Sequence, residues 1–219
     1  MGSDNLHHKR KARNQIERRK ASREPYERVL IVCEDSQATP SYLEAIRDDL
    51  KLNIANITIC GEECGSAPIS VVDYAIDLKK KDKGYDKVYC VIDRDQHQKF
   101  QKALQKAKGK KIEVIVSIPG FEYWLLLHFA YITSPFQAAQ GSHCEEVIKA
   151  LKKYWSDYEK GKNFLKQHYL GCLKAKQDIA IRNAKQRESE CQYEKRLEDQ
   201  NPYTQIHQLV EYLSNLKLA

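Results

Sequence analysis

Hydrophobic and polar residues alternate along the first 130 residues as short apolar runs separated by longer amphipathic segments. Four runs rich in Val, Ile and Leu predict strands that are buried on both faces. Four intervening and following segments carry apolar residues at helical spacing, and each is long enough for a crossover helix. The predicted strands are "YERVLIVCE", "ANITIC", "DKVYCVID" and "KIEVIVSIP", and the predicted helices are "TPSYLEAIRDDL", "APISVVDYAIDLKKKDKG", "QHQKFQKALQKAKG" and "FEYWLLLHFAYI".

This alternation of strands and helices predicts an α/β fold with a four-stranded parallel sheet flanked by helices. In such sheets, functional groups collect at the carboxyl ends of the strands. Glu34 ends the first predicted strand, Asp93 ends the third, and Asp95 follows two residues later. We therefore expect three carboxylates at the same edge of the sheet.

The pattern changes after Ile132, where no further strand is predicted and apolar residues keep helical spacing. We predict that residues 133–219 form a C-terminal helical subdomain. Residues 26–132 form the α/β domain in this interpretation. Residues 1–25 are dense in Lys and Arg and poor in large apolar residues, which is typical of a basic, flexible N-terminal arm.

Carboxylates gathered at one edge favour a metal site, because like charges at close range repel unless a cation neutralises them. Mg²⁺ prefers oxygen ligands, with Mn²⁺ as an alternative, and either ion can activate water against a phosphodiester. The predicted ligands are Glu34, Asp93 and Asp95. An Asp-x-Asp pair alone is also common as a helix cap or in a solvated turn.

The formal net charge of +7 favours a polyanionic partner. Arg10 and Arg13 in the N-terminal arm are candidate phosphate contacts, although a solubilising tail explains the same composition. Lys160, Lys162 and Lys166 are interleaved with Tyr and Trp residues, which suits phosphate contact combined with base stacking. A polar helix face over buried aromatic residues is the other explanation of this cluster.

The composition limits the class of protein. Hydrophobic residues make up 42% and charged residues 31% of the chain, and no apolar run approaches the ~20 residues of a membrane-spanning helix. The seven cysteines have scattered spacing, which favours reduced thiols in a cytoplasmic protein without a membrane partner. No secretory signal is apparent at the N-terminus.

Four segments together resemble the RloB-like family: "LIVCEDSQATPSYL", "CVIDRDQH", "SIPGFEYWLLLHF" and "NPYTQIHQLVEYL". This family is similar to the Toprim nucleases of the OLD-like type that accompany ABC-type ATPases in phage-defence and abortive-infection loci. The resemblance implies a Toprim-like fold with an acidic Mg²⁺ site at Glu34, Asp93 and Asp95. It also implies that Glu122 is a catalytic residue at this site, although an acid favoured at a helix N-terminus is the other interpretation.

The resemblance favours a metal-dependent endonuclease, a hydrolase of phosphodiester bonds, and leaves its substrate open. The compact single-domain build slightly favours RNA, including tRNA, over DNA. The resemblance implies an antiviral role and an ABC-type ATPase subunit as partner, and it leaves a homodimer open. Asp35 stands where the family usually has a turn glycine, and it either joins the metal shell or adjusts the turn. A non-catalytic nucleic-acid-binding or scaffold subunit is the alternative. A haloacid-dehalogenase-type phosphatase fits less well, because in that class the Asp-x-Asp pair follows the first strand, whereas in this chain it follows the third.

Overall fold

A computed structural model describes residues 27–61, 64–65, 67–94, 100–161, 163–194, 196 and 200–216. Four of the predicted site residues, Arg10, Arg13, Asp95 and Lys162, lie outside the described residues. Within the described part, no helix has both the length and the apolar character needed to cross a membrane.

The sheet has five strands in the spatial order β2-β1-β3-β4-β5. The first four strands are parallel, which confirms the predicted α/β class and is consistent with a Toprim-like fold. The fifth strand pairs antiparallel with β4, so the prediction of a purely parallel four-stranded sheet without strands after Ile132 was wrong. The strands are β1 (Val29–Cys33), β2 (Ile57–Cys60), β3 (Lys87–Asp93), β4 (Glu113–Ile118) and β5 (Tyr203–Thr204).

Helices connect the parallel strands and follow the sheet. The last predicted helix of the α/β pattern is shorter than expected, since it ends at Leu126 rather than continuing to Ile132. A π-helix and a 3₁₀ helix link two of the later α-helices. The α-helices are α1 (Ala38–Asp49), α2 (Pro68–Lys81), α3 (Phe100–Gly109), α4 (Glu122–Leu126), α5 (His143–Lys152), α6 (Phe164–His168), α7 (Gln177–Cys191) and α8 (Ile206–Leu216).

The two faces of the sheet bury separate hydrophobic clusters, because successive side chains of a strand point to opposite faces. In β1, Val29 and Ile31 pack with α1, α4 and α8, whereas Leu30 and Val32 pack with α2 and α3. Helices therefore cover both faces. This sandwich leaves the two edges formed by the strand ends open to polar residues.

The C-terminal residues complete the core rather than forming a second one. Leu209 and Leu213 of α8 are fully buried in the same cluster as Val29 and Ile31 of β1. β5 extends the sheet through a hydrogen bond of 2.9 Å between the hydroxyls of Thr204 and Ser117. The stability of the sheet therefore depends on residues that follow the predicted boundary at residue 133.

We expect Leu209→Ala to lower the free energy of unfolding of the protein by about 3 kcal/mol, because it opens a cavity in the core that α8 shares with β1. Urea denaturation followed by far-UV circular dichroism and by tryptophan fluorescence measures this loss. The two probes should give coincident transitions. Leu170→Ala is the control, since Leu170 is 64% exposed and its loss should change stability by less than about 0.5 kcal/mol. Two separate transitions would contradict a shared core.

Candidate functional site

Glu34 and Asp93 come together because their strands are neighbours. The backbone N–H of Glu34 donates to the carbonyl oxygen of Val91 at 2.9 Å, which extends the pairing of β1 with β3 beyond Cys33. The backbone N–H of Asp93 then donates to Glu34 Oε2 at 3.0 Å. Both side chains are partly buried at the carboxyl edge of the sheet, the edge formed by the C-terminal ends of the parallel strands.

Glu122 reaches the same edge from the end of β4. Gly120 lies between the two acidic groups: a Cβ atom at Gly120 would lie 3.2 Å from Asp93 Oδ2 and 3.3 Å from Glu122 Oε2. The same Cβ would overlap the sulfur of Cys144, so any side chain at this position requires Cys144 to move. The three neighbouring side chains therefore approach the backbone closely at Gly120.

The neighbouring carboxylates change the pKa of Asp93. Burial raises the pKa of Asp93 well above its ordinary value, and the negative charges of Glu122 and then Glu34 raise it further. Glu122 is 0% exposed, and among the described residues neither of its oxygens accepts a hydrogen bond of normal geometry. A buried carboxylate in this state attracts a cation strongly.

Lys160 supplies a positive charge at this position. It lies in the loop between α5 and α6, and its Nζ is 3.0 Å from Glu122 Oε1. Burial lowers the pKa of Lys160, but the charges of Glu122 and Asp35 outweigh that effect and leave the pKa raised. The side chain is still 40% exposed, so the ammonium group contacts the buried carboxylate and faces solvent as well.

Asp35 shapes the turn between β1 and α1. Its Oδ1 accepts from the N–H of Gln37 at 3.1 Å and its Oδ2 from the N–H of Thr39 at 2.8 Å. These bonds satisfy donors at the N-terminus of α1, which begins at Ala38. Asp35 in place of the turn glycine typical of the family thus holds the turn closed.

The predicted cluster of lysines and aromatic residues contains both buried and exposed rings. Trp155, Tyr158 and Tyr169 are buried, as expected for the alternative of a polar face over aromatic residues, whereas Tyr154 is 52% exposed. Nucleic-acid contact by this cluster stays a prediction. Lys166 Nζ lies 2.8 Å from Asp48 Oδ2 and 3.6 Å from a carboxylate oxygen of Glu44. Lys166 therefore stabilises the packing of α6 on α1, and its charge is largely balanced within the fold.

Sequence reasoning missed the contribution of the segment after α5 to the carboxylate site. The sequence predicted only a nucleic-acid contact for Lys160, and it predicted no role at the carboxylate site for Tyr158. The pKa of Tyr158 is raised by burial and then by the charges of Glu122 and Asp35, so its hydroxyl faces the same acids. In the sequence, Gly120 directly before "FEYW" is the one feature that indicates close packing around Glu122.

The described carboxylates at this edge meet one requirement of a metal site, the type of ligand atom, but not the number of ligands. The side chains at this edge offer carboxylate oxygens, and Mg²⁺ is commonly held in proteins by one or two carboxylates together with water and substrate phosphate. In the part of the chain described here, no three His, Cys, Asp or Glu residues form a group that could hold a metal ion. The described residues thus provide fewer than three ligands.

A comparison with protein families identifies the family of the chain. The family model described as RloB-like protein matches residues 29–213, which covers all five strands and most of α8. The chain belongs to the RloB-like protein family. Glu34, Asp93 and Glu122 of this RloB-like chain all lie in the matched region. No curated protein and no solved structure matched the RloB-like chain.

We expect Asp93→Asn to stabilise the protein at neutral pH when EDTA is present. Since the native pKa of Asp93 is raised, the native state binds more protons than the unfolded state above the ordinary carboxyl range, and stability falls as the pH rises through that interval. The substitution removes this loss. Urea denaturation from about pH 4 to pH 8 should show a gain of the order of 1 kcal/mol at the upper end that disappears at the lower end.

Asp82→Asn is the matched control with the opposite sign. Hydrogen bonds from Arg28 and from the N–H of Gly84 lower the pKa of Asp82, so its contribution is present at neutral pH and lost in acid. Asp82→Asn should therefore destabilise the protein at pH 7, with a loss that shrinks as the pH falls below 3.8, so the pH series of both variants is extended to about pH 3. A gain for Asp93→Asn that does not depend on pH would contradict the proposed repulsion.

Proposed function

We propose that this RloB-like chain is a Mg²⁺-dependent nuclease that hydrolyses phosphodiester bonds in nucleic acid, with RNA favoured over DNA. The observation that carries the proposal is the convergence of Asp93 and Glu122 on Gly120, with Glu34 bonded to the backbone of Asp93. Burial and mutual repulsion make this edge a place where a cation and a phosphate can bind together. Family membership supports the same activity.

Asp93 and Glu34 would hold the metal ion, together with Asp95, which lies outside the described residues. When bound, Mg²⁺ would lower the pKa of a coordinated water and stabilise the charge on the leaving oxygen. Mn²⁺ has the same ligand preference and is expected to substitute for Mg²⁺.

Lys160 would bind a non-bridging oxygen of the scissile phosphate. Its Nζ is fixed at 3.0 Å from Glu122 Oε1, while 40% of the side chain remains accessible from solvent. Glu122 is then a positioning residue: its buried carboxylate holds the ammonium and keeps it charged. A pre-positioned cation stabilises negative charge that develops in the transition state more effectively than a mobile one.

The proposal includes a setting that follows from the resemblance alone. The chain would act in the cytoplasm as the effector of an anti-phage system of the abortive-infection type, with an ABC-type ATPase subunit as its partner. A non-catalytic scaffold or nucleic-acid-binding subunit is the competing function, and the same assay separates the two.

We expect the chain to cut at least one of bulk tRNA, single-stranded RNA and plasmid DNA with Mg²⁺ or Mn²⁺ and to cut none of them in EDTA. Asp93→Ala and Asp95→Ala should each lower the rate by at least about a thousandfold, because each removes a predicted metal ligand. Electrophoresis of end-labelled products measures the rate. Asp157→Ala is the control, since Asp157 is an exposed carboxylate that bonds to Ser156.

The proposal fails if cleavage survives EDTA or if Asp93→Ala retains the wild-type rate. Absence of cleavage by the chain alone is resolved by repeating the assay after co-expression with the proposed ABC-type ATPase partner. Absence of cleavage in both preparations would favour the scaffold function.

We expect Lys160→Met to lower kcat by about 100-fold with little change in KM, since the lost contact stabilises the transition state. Lys160→Arg should recover part of the activity, because the guanidinium can keep the ion pair with Glu122. Lys185→Met is the control: it also removes an ion pair, between Lys185 and Glu211 at 2.6 Å, but on a different surface. An equal loss in Lys160→Arg and Lys160→Met together with a lowered melting temperature would indicate a purely structural role.

A further inference from the structure

Lysines gather at the edge of the sheet opposite to the carboxylates. The C-termini of α2 and α3 lie at this amino edge, because crossover helices run antiparallel to the strands they connect. Lys79 joins the two ends, as its Nζ donates to the carbonyl oxygens of Lys110 and Lys111, at 3.1 Å each. We name this surface the amino-edge lysine patch; its members are Lys79, Lys81, Lys83, Lys108, Lys110 and Lys111.

The charges of this patch are not balanced locally. Two neighbouring lysines outside the patch have carboxylate partners: Lys80 pairs with Asp77 and Lys106 pairs with Asp73. Lys81, Lys83, Lys108, Lys110 and Lys111, in contrast, are exposed and form no ion pair with any described residue. Like charges held together on a rigid surface attract a ligand with several negative charges.

The first described residues of the chain lie beside the same patch. The Arg28 guanidinium bonds to Asp82 Oδ2 at 2.7 Å, and its backbone N–H donates to Asp86 at 3.0 Å. Asp82 lies between Lys81 and Lys83 in the chain. Its bond with Arg28 therefore places the residues just before β1 next to the patch. Eight of the 37 Lys and Arg residues precede residue 27, against three of the 30 Asp and Glu residues.

The rest of the chain is nearly neutral by comparison, with 29 basic and 27 acidic residues from residue 27 onward. The excess of positive charge in the sequence therefore lies mainly before residue 27, and the first described residues lie beside the patch. β3 has seven residues, which places this edge about 20 Å from the carboxylate site. A mononucleotide is too small to span that distance, whereas a polynucleotide can do so.

We propose that the amino-edge lysine patch is a second nucleic-acid-binding surface, which holds the phosphate backbone of the substrate at a distance from the carboxylate site. The choice of nucleic acid as ligand rests on the proposed function. The patch contributes affinity that does not depend on base sequence or on a divalent metal, since lysines bind phosphates as point charges. It would act in addition to the predicted contacts at Lys160 and Lys166, of which Lys166 is paired with Asp48 within the fold.

The test is fluorescence anisotropy with a labelled 30-nucleotide RNA and a 30-base-pair DNA duplex, titrated with full-length protein in EDTA over a series of salt concentrations. The patch variant carries Lys81→Gln, Lys83→Gln and Lys110→Gln. Lys79 is retained because its hydrogen bonds join the two helix ends, and Lys111 because its backbone has a φ of 54°. We expect the patch variant to bind at least about tenfold more weakly at 0.1 M salt, with a log–log salt slope shallower by about two.

The control variant removes the same number of positive charges from exposed positions on α5 and α7, through Lys149→Gln, Arg182→Gln and Lys185→Gln. It should bind within about twofold of the wild type. A second patch variant with Lys→Arg at the three positions keeps the charge and should also bind like the wild type. Melting temperatures of all variants establish that they fold.

Equal binding by the patch variant and the wild type would overturn the inference, as would an equal loss in the control variant. If the wild type binds neither nucleic acid in a salt-dependent manner, the inference is also overturned, and an acidic protein surface becomes the ligand to test. Binding in EDTA is independent of cleavage. Failure of the patch therefore leaves the nuclease assay unaffected, and a catalytically inactive chain can still show binding by the patch.

Discussion

The burial of the Glu122 carboxylate is the constraint on which the carboxylate site depends. A carboxylate removed from water is costly unless a cation approaches it, and Lys160 from the loop after α5 provides that cation. The ion pair ties this loop to the start of α4. Gly120 leaves room between the converging side chains of Asp93, Glu122 and Cys144. The acid, the lysine and the glycine form one connected arrangement.

The arrangement also explains why the pKa of Asp93 is raised although Asp93 lies at the end of a regular strand. Its neighbours are held by different elements, since Glu34 directly follows β1 and Glu122 begins α4 after β4. Rigid sheet geometry thus maintains an electrostatic conflict that flexible loops would relax. Sites that bind cations commonly maintain such a conflict in the absence of the ion.

The sequence was sufficient for the parts of the fold that follow from local periodicity. Glu34 and Asp93 could be placed at one edge because parallel strands share their carboxyl ends. β5 could not be predicted, since two residues carry no periodic signal and the strand exists only through its pairing with β4. The partners of Lys160 and Lys166 were also out of reach, because each lies on an element that is distant along the chain and is brought close only by tertiary packing.

The order of the elements along the chain has a consequence for biosynthesis. The ribosome releases Glu34 and Asp93 well before Lys160, and the residues of β5 and α8 emerge last of the described elements. A nascent chain that has emerged only through α4 contains the acids but neither the lysine that compensates Glu122 nor the strand that completes the sheet. The ion pair between Lys160 and Glu122 and the pairing of β5 with β4 can therefore form only after most of the chain has been synthesised.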